Sequence, residues 1–207
     1  KSLASNPLLI CKKLSENGLI KLYSKNQLLP KPELFVNENQ VNQTKQKFSS
    51  EFSHVVLGIS ASGPSKRWDI KNFINLCVQI NKRIPSKFYL AAGNNDKDLI
   101  DQFLNSELSN NCISFKDLKI NETLPIIKNC NLYIGNDTGW LHISSALGVK
   151  CLALFMDSPV QAYGKYSKNI EVIVPEGETE ETTTHDTLGA DKISFEKVFN
   201  VSIKLLN

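Results

Sequence analysis

Several features that mark common classes of protein are missing from this sequence. No apolar run approaches the roughly 18 residues that a membrane-spanning helix needs. The net charge is only +3, so charge gives no case for a nucleic acid partner. A G-x-G-x-x-G fingerprint, a Walker lysine loop and a G-x-S-x-G elbow are all absent. Their absence argues against dinucleotide-binding enzymes, ATPases and α/β hydrolases.

Cysteine and methionine are scarce, and their positions are informative. The five cysteines have no C-x-x-C spacing and lie mostly in apolar runs, at positions 11, 77, 112, 130 and 151. This pattern predicts small core residues in a reducing compartment, and hence a cytoplasmic protein without a structural zinc. The single methionine is Met156. We therefore expect residue 1 to be an internal position of a longer protein.

Residues 1–51 are expected to differ from the rest of the chain. The first 50 residues carry eight lysines against three glutamates, an excess that suits a solvated surface and leaves contact with anionic lipid headgroups open. Two short helices are predicted at 8–17 and 19–24, and a short extended piece at 33–36. The polar stretch 37–50 is typical of a linker or of the helical tail of a preceding domain.

From residue 52 onward, apolar strand-like runs alternate with helical patterns. The predicted strands are 55–59, 88–92, 112–115, 131–134, 151–155 and 170–174. Apolar residues at helical spacing predict the helices between them, with Asp69, Asn121 and Ser194 as N-caps. This alternation with short connections predicts a parallel sheet with helices on both faces, an α/β Rossmann-like domain that covers about residues 52–207.

The predicted turn Gly135–Gly139 is the feature around which the chemistry is arranged. It joins a buried strand to a helix at 140–147, so it aims unpaired backbone N–H groups and the positive end of the helix dipole at one point. Asp137, Thr138 and His142 add an acceptor, a hydroxyl and an imidazole there. An aspartate before a helix is also a common cap, and a lone histidine is often structural, so both alternatives stay open.

A second group of polar residues follows the first predicted strand. Ser62 belongs to a loop of small residues that ends in Lys66 and Arg67. A lysine point charge and an arginine fork that face an amide-rich turn suit a diphosphate, although a merely exposed basic pair is the alternative. Because ligands of open α/β sheets bind beyond the carboxyl ends of the strands, this loop and the turn at 135–139 should line one rim.

Two stretches carry a resemblance to a known family. The first is Ser60-Ala-Ser-Gly-Pro-Ser-Lys-Arg-Trp68, which precedes an amphipathic helix, and the second is Tyr133-Ile-Gly-Asn-Asp-Thr-Gly-Trp-Leu-His142. In order and spacing, residues 55–175 resemble glycosyltransferase family 9, the family of the ADP-heptose:lipopolysaccharide heptosyltransferases. The resemblance implies a GT-B fold of two Rossmann-like domains, in which this chain would be the C-terminal, donor-binding half.

The resemblance also implies roles for individual residues. Ser62 and Lys66 would meet the donor phosphates, and Lys66 and Asp137 would be the residues most directly concerned with catalysis. The other substrate contacts that it implies are Asn95 or Asp96 at the ribose, Leu118 at the base, and Thr138, Gly139, Trp140 and His142 in the turn and its helix. Asn95 replaces a glutamate of the best-known members, and Met156–Pro159 stands where a glycine commonly follows the strand, so nucleotide and sugar preference stay open.

Asp96 and Asp98 match a two-carboxylate pattern that some glycosyltransferases use to hold a metal ion. Here both lie at the start of a predicted helix, where the helix dipole favours carboxylates in any case. We therefore expect no metal and no other cofactor.

The implied function is inverting, metal-independent transfer from a nucleotide-diphosphate sugar, similar to ADP-heptose, to an acceptor such as the lipopolysaccharide core. The general base and the acceptor site would lie in an N-terminal domain outside this chain. The protein would be cytoplasmic, with a peripheral association with the inner membrane. Two alternatives remain: a non-catalytic nucleotide-binding or assembly module, and a protein similar to sugar-nucleotide epimerases.

Overall fold

A single parallel sheet is the centre of the fold. The computed structural model describes residues 13–14, 16–17 and 32–207. The strands are β1 (Ser53–Gly58), β2 (Ser86–Leu90), β3 (Cys112–Ser114), β4 (Leu132–Asn136), β5 (Lys150–Leu154) and β6 (Ile170–Ile173). They pair in the order β3-β2-β1-β4-β5-β6, and every neighbouring pair is parallel. Each predicted strand is confirmed to within two residues at either end.

Helices cover both faces of this sheet. They are α1 (Glu38–Lys45), α2 (Ile70–Arg83), α3 (Lys97–Leu104), α4 (Ile120–Lys128), α5 (Gly139–Ala146), α6 (Val160–Tyr163) and α7 (Phe195–Leu206). Successive strand residues point to opposite faces: Val55 and Leu57 join a core cluster with α2, α3 and α7. Val56 joins a second cluster with α4, α5 and α6. The predicted Rossmann-like architecture is therefore confirmed.

Two glycines let β1 and β4 approach each other beside the future site. Gly58 and Gly135 are partners in the register of these strands. A Cβ atom at Gly58 would collide with the Tyr133 hydroxyl, and one at Gly135 would lie 2.6 Å from the Gly58 Cα. The space that glycine leaves lets the fully buried Tyr133 donate its hydroxyl proton to the Asn136 carbonyl oxygen at 2.8 Å.

Two of the three predicted helix caps are confirmed. Asp69 and Ser194 each accept a hydrogen bond from a backbone N–H of the following first turn, at 2.7 and 3.4 Å. The prediction for Asn121 is wrong, because α4 begins at Ile120 and its N-cap is Lys119. There the Glu122 carboxylate accepts a hydrogen bond from the Lys119 backbone N–H at 2.7 Å, which stabilises the first turn in place of an asparagine side chain.

The polar stretch before β1 contains helix α1, and its assignment to a preceding domain stays a prediction. Asn37 caps it, and its Val41 carbonyl oxygen accepts a hydrogen bond from Asn129 Nδ2 at 3.0 Å. Just beyond the helix, Phe48 stacks on Tyr89 with ring centroids 5.5 Å apart. The stretch thus packs against the Rossmann-like domain. Its apolar pattern is weak because α1 itself contains no buried residue.

Other predictions for the first part of the chain have mixed outcomes. The helices predicted at 8–17 and 19–24 lie largely outside the described residues, and the domain boundary at residue 51 stays a prediction. The piece at 33–36 is irregular rather than a strand, and the Leu34 N–H donates to the Ala146 carbonyl at 3.1 Å. Within the part of the chain that the structure describes, no helix is long and apolar enough to cross a membrane.

Candidate functional site

The candidate site lies where the order of the strands reverses. β1 and β4 are neighbours, whereas the chain runs from β1 to β2 on one side and from β4 to β5 on the other. Diverging connections leave a crevice beyond the carboxyl ends of the two strands, which is the usual place for a ligand in open α/β sheets. The β1 loop (59–69) and the β4 turn (136–139) meet at this crevice.

One buried side chain ties the β1 loop to the β4 turn. Asn136 is fully buried at the end of β4. Its Oδ1 accepts a hydrogen bond from the Trp68 backbone N–H at 3.1 Å. Its Nδ2 donates to the carbonyl oxygens of Ile59 and Ser60 at 3.2 and 3.1 Å. Because a single amide satisfies three backbone groups of the loop, the loop and the turn keep a fixed separation.

The β4 turn presents the N-terminus of α5. Thr138 has extended backbone dihedrals, and its Oγ1 accepts a hydrogen bond from the Trp140 N–H at 3.3 Å. Thr138 is therefore the N-cap of α5, and Asp137 is not. The first backbone N–H groups of α5 have no carbonyl partner within the helix, so they and the helix dipole attract an anion.

Asp137 and His142 meet at the mouth of the turn. Asp137 Oδ2 accepts a hydrogen bond from the Ser158 hydroxyl at 2.7 Å, and Asp137 Oδ1 lies 3.5 Å from His142 Nε2. The other ring nitrogen, His142 Nδ1, lies 2.7 Å from the Tyr166 hydroxyl oxygen. Two side chains that are five positions apart in the sequence are thus brought together beside the helix N-terminus.

A buried aspartate anchors the end of the β1 loop. Pro64–Lys66 forms a short 3-10 helix, and the Ser65 hydroxyl donates to Asp157 Oδ2 at 2.6 Å. Asp157 Oδ1 accepts from the Leu188 N–H at 3.1 Å. Burial acts to raise the pKa of Asp157, but these hydrogen bonds and the charge of Lys66 hold that pKa below its ordinary value. Asp157 is therefore an anion at neutral pH and a counter-charge near Lys66.

The β1 loop and the β4 turn line a cleft of about 440 Å³. Six of the predicted site residues are in its lining, namely Ser62, Asp96, Asp137, Thr138, Gly139 and Trp140. Ser60 adds to the polar part of the lining, and Ala61, Ile120 and Ile143 add to the apolar part. The cleft thus combines hydroxyls, carboxylates and a helix N-terminus with an apolar surface.

The other predicted site residues, all within the described part of the chain, are not among the residues that line this cleft. Arg67 lines a separate groove of about 620 Å³, formed with residues of α2 and α3. Lys66 is half-buried near Asp157, and Asn95 and Leu118 are exposed. His142 is connected to the cleft through Asp137. The binding roles of these residues stay predictions.

Sequence reasoning missed several neighbours of the site. Ile120 lines the cleft and is 61% exposed, but a single isoleucine gives no sign of this exposure in the sequence. Asp157, Ser158 and Tyr166 carried no signal either, since their contacts join residues 21 to 92 positions apart. Only the departure of Met156–Pro159 from the family pattern drew attention to that segment.

Asp96 and Asp98 lie at the start of α3. Asp96 Oδ2 accepts a hydrogen bond from the Gly93 backbone N–H at 3.3 Å, and Asp98 lies in the first turn. Within the residues that the structure describes, no group of three His, Cys, Asp or Glu side chains is placed to hold a metal ion.

Comparison with known proteins decides the family. The model of glycosyltransferase family 9 (heptosyltransferase) matches residues 19–191, which include the β1 loop and the β4 turn. The chain belongs to this family. It is also 28% identical over 138 residues to lipooligosaccharide heptosyltransferase 2 of Haemophilus influenzae, an alignment that covers 60% of this chain and 39% of the relative.

Solved structures of this family share the fold. The chain superimposes on E. coli ADP-heptose LPS heptosyltransferase II with a TM-score of 0.71 and 24% identity, over 86% of this chain and 54% of the other. It superimposes on a family 9 glycosyltransferase from Veillonella parvula with a TM-score of 0.68 and 19% identity, over 84% of this chain and 53% of the other. The chain therefore spans about half the length of these family members. The predicted fold class, the Rossmann-like half of a GT-B fold, is confirmed.

Proposed function

We propose that this chain is the donor-binding part of a glycosyltransferase and that its cleft binds a nucleotide-diphosphate sugar similar to ADP-heptose. One observation carries the proposal. At the reversal of strand order, a single cleft is lined by Ser60–Ser62 of the β1 loop and by Asp137–Trp140, which form the β4 turn and the start of α5. Family membership supports sugar transfer as the reaction, and two of the relatives named above are heptosyltransferases.

The composition of the cleft suits the parts of such a donor. Backbone N–H groups at the start of α5 and the hydroxyls of Ser62 and Thr138 are donors for diphosphate oxygens. Ile120 and Trp140 supply an apolar surface for a flat base. The Asp96 carboxylate is an acceptor for sugar hydroxyls.

In the reaction, an acceptor hydroxyl oxygen bonds to the anomeric carbon as the bond from that carbon to the diphosphate oxygen breaks, which inverts the configuration. The hydroxyl proton passes to a general base, and the bonding electrons leave with the nucleotide diphosphate. Negative charge therefore grows on the leaving group. The N-terminus of α5 and Lys66 stabilise that charge without a metal ion, and Asp137 orients the sugar.

The remaining parts of the proposal concern the acceptor and the location. Because the chain spans about half of its relatives, we place the general base and the acceptor site in a part of the protein outside it. The acceptor is a lipopolysaccharide core-type glycan, and the protein acts at the cytoplasmic face of the inner membrane. The lysine excess in residues 1–50 supports a peripheral contact with anionic lipids.

Calorimetric titration of this chain with ADP and with AMP tests the donor site. Because AMP lacks the second phosphate, we expect it to bind at least about tenfold more weakly than ADP. Lys66→Ala and Asp137→Ala should each weaken ADP binding. Lys165→Ala is the matched control, since Lys165 pairs with Glu180 away from the cleft. Equal affinities for ADP and AMP, or an unchanged affinity in Lys66→Ala, would contradict the proposal.

A transfer assay on the full-length protein separates an enzyme from a non-catalytic nucleotide-binding module. We expect ADP release from ADP-heptose in the presence of acceptor, at a rate that EDTA does not change. Tight ADP binding without any transfer would favour the module. Loss of transfer on addition of EDTA would overturn the metal-independent mechanism.

A further inference from the structure

Both partners of the Asp137–His142 pair come from the segment that follows β5. Tyr166 contacts His142 Nδ1 at 2.7 Å, and Ser158 contacts Asp137 Oδ2 at 2.7 Å. Neither residue belongs to the two stretches that carry the resemblance to family 9. The segment after β5 thus supports residues of the cleft from outside it.

The contacts of His142 favour one tautomer. If Nε2 carries the proton, this proton points toward the carboxylate of Asp137, and Nδ1 accepts a hydrogen bond from the Tyr166 hydroxyl. If Nδ1 carried it, the lone pair of Nε2 would face a negative oxygen, which is repulsive. Burial raises the pKa of Tyr166 to about 12, so its hydroxyl keeps the proton that it donates to Nδ1.

Ser158 orients Asp137, the other member of the pair. Its side chain is buried, and its hydroxyl occupies Asp137 Oδ2, so Oδ1 is the oxygen that faces the imidazole. The Asp137 side chain is 13% exposed, whereas the His142 side chain is 39% exposed. The pair is therefore anchored on the protein side, while the imidazole remains accessible from solvent.

We propose that Tyr166 and Ser158 are positioning residues that hold Asp137 and His142 in one arrangement, in which the Nε2–H of His142 is shared between Asp137 Oδ1, 3.5 Å away, and an anionic oxygen of the donor diphosphate. The ligand in this proposal rests on the proposed function, but the arrangement itself belongs to the free chain. Tyr166 and Ser158 act through the pair and do not touch the ligand.

Nitrogen-15 NMR of the histidine rings in the free chain measures the tautomer directly. The chain contains three histidines, and the signals of His142 are those that disappear in His142→Gln. We expect neutral His142 to carry its proton on Nε2 in the wild type, and Tyr166→Phe to increase the Nδ1–H population. Tyr163→Phe is the matched control, because it removes a hydroxyl from α6 in the same segment and should leave the tautomer unchanged.

Titration with ADP gives a second measurement on the same proteins. Loss of the hydrogen bond that orients either side chain should weaken ADP binding about three- to tenfold in Tyr166→Phe and in Ser158→Ala. Ser202→Ala is the control for Ser158→Ala. It removes another buried hydroxyl, whose hydrogen bond to the Val198 carbonyl oxygen is also 2.7 Å long, and it should leave ADP affinity unchanged.

The possible outcomes are distinct. An Nδ1–H tautomer in the wild type overturns the proposal, and this measurement needs no substitution that could impair folding. An unchanged tautomer in a folded Tyr166→Phe chain overturns it as well. Unchanged ADP affinity in both variants, when the wild type binds ADP, overturns the link to the ligand. If the wild type binds no ADP, the proposed function fails, and the NMR measurement still decides whether Tyr166 positions His142.

Discussion

Two histidines, one near the amino ends of the strands and one beyond their carboxyl ends, share one kind of contact and differ in the other. His54 and His142 each place Nδ1 within hydrogen-bond distance of a tyrosine hydroxyl, at 3.0 and 2.7 Å. For His54, Nε2 lies 3.0 Å from the carbonyl oxygen of Ser49. For His142, Nε2 lies 3.5 Å from the carboxylate of Asp137.

The difference shows what separates a structural histidine from one that can meet a ligand. His54 is only 7% exposed, and its ring lies 4.1 Å from that of Phe48, so a backbone carbonyl uses its second nitrogen and no ligand reaches it. The ring of His142 is oriented by neighbours but remains accessible. A fixed ring orientation is therefore common to both roles, and access to the second nitrogen distinguishes them.

The largest expected effect is on folding stability. His54→Ala should lower the free energy of unfolding by about 2–3 kcal/mol, because it leaves a cavity and leaves the buried Tyr89 hydroxyl and the partly buried Ser49 carbonyl without their partner. His142→Ala should cost less than about 1 kcal/mol, since its site is partly open to water. Urea unfolding measures both, with the exposed His185→Ala as control. Equal losses in the two variants would contradict the comparison.

Ligand binding should show the reverse order. His142→Ala should weaken ADP binding about five- to tenfold, because a donor to the diphosphate is lost. His54→Ala should leave the ADP affinity of the folded chain unchanged. Calorimetry at a temperature where both variants are folded tests this. A larger loss of ADP affinity in His54→Ala than in His142→Ala would show that ligand binding also depends on the site around His54.

A smaller effect is expected from pH. Burial lowers the pKa of His54 below its ordinary value of 6.5, and the charge of Lys87 adds to this, although the hydrogen bond to Ser49 acts in the opposite direction. In the unfolded chain His54 therefore takes up its proton at a higher pH than in the folded chain. The stability that neutral His54 contributes is fully present above pH 6.5 and is lost as the pH falls toward the lowered pKa.

Urea unfolding at several pH values in this window measures that loss. His54→Gln cannot titrate, so its stability should depend less on pH than that of the wild type. His185→Gln, in which the exposed histidine is replaced, should retain the wild-type dependence. An identical pH dependence in the wild type and in His54→Gln would refute the assignment to His54.

The smallest effect is expected for Arg67. The pair of cations in the β1 loop predicts a phosphate contact for Arg67, but in the structure it lines the groove beside α2 and α3 rather than the cleft. Arg67→Ala should therefore change ADP affinity less than about twofold. An effect as large as that of His142→Ala would show that Arg67 turns into the cleft when the ligand binds.

The strands and the fold class could be predicted from the sequence, but the order of the strands could not. Strands buried on both faces appear as continuous apolar runs, such as Val55–Ile59. Short connections and alternation then indicate a parallel sheet. Which strands are neighbours depends on contacts across the chain, for example Val56 beside both Tyr89 and Tyr133. The sequence does not decide between a linker and a helix at α1, because this helix buries none of its own residues.

The candidate site was predictable where its parts are local. A glycine turn before a helix indicates an anion site from sequence alone, although the cap proved to be Thr138 rather than Asp137. The supporting residues Ser158 and Tyr166 could not be predicted, because a serine and a tyrosine have no distinctive spacing. Their contacts to the turn exist only after β5 has taken its place beside β4.

Asn136 has a consequence for how the cleft can change its ligand preference. Its three hydrogen bonds couple the β1 loop to the β4 turn, so a shift in the backbone of one would strain the bonds to the other. Ile120 enters the same cleft from α4 with most of its side chain exposed. The β1 loop and the β4 turn are linked to each other, whereas Ile120 is not linked to them through Asn136. A substitution at Ile120 can therefore change which ligand the cleft prefers without a change in the β4 turn.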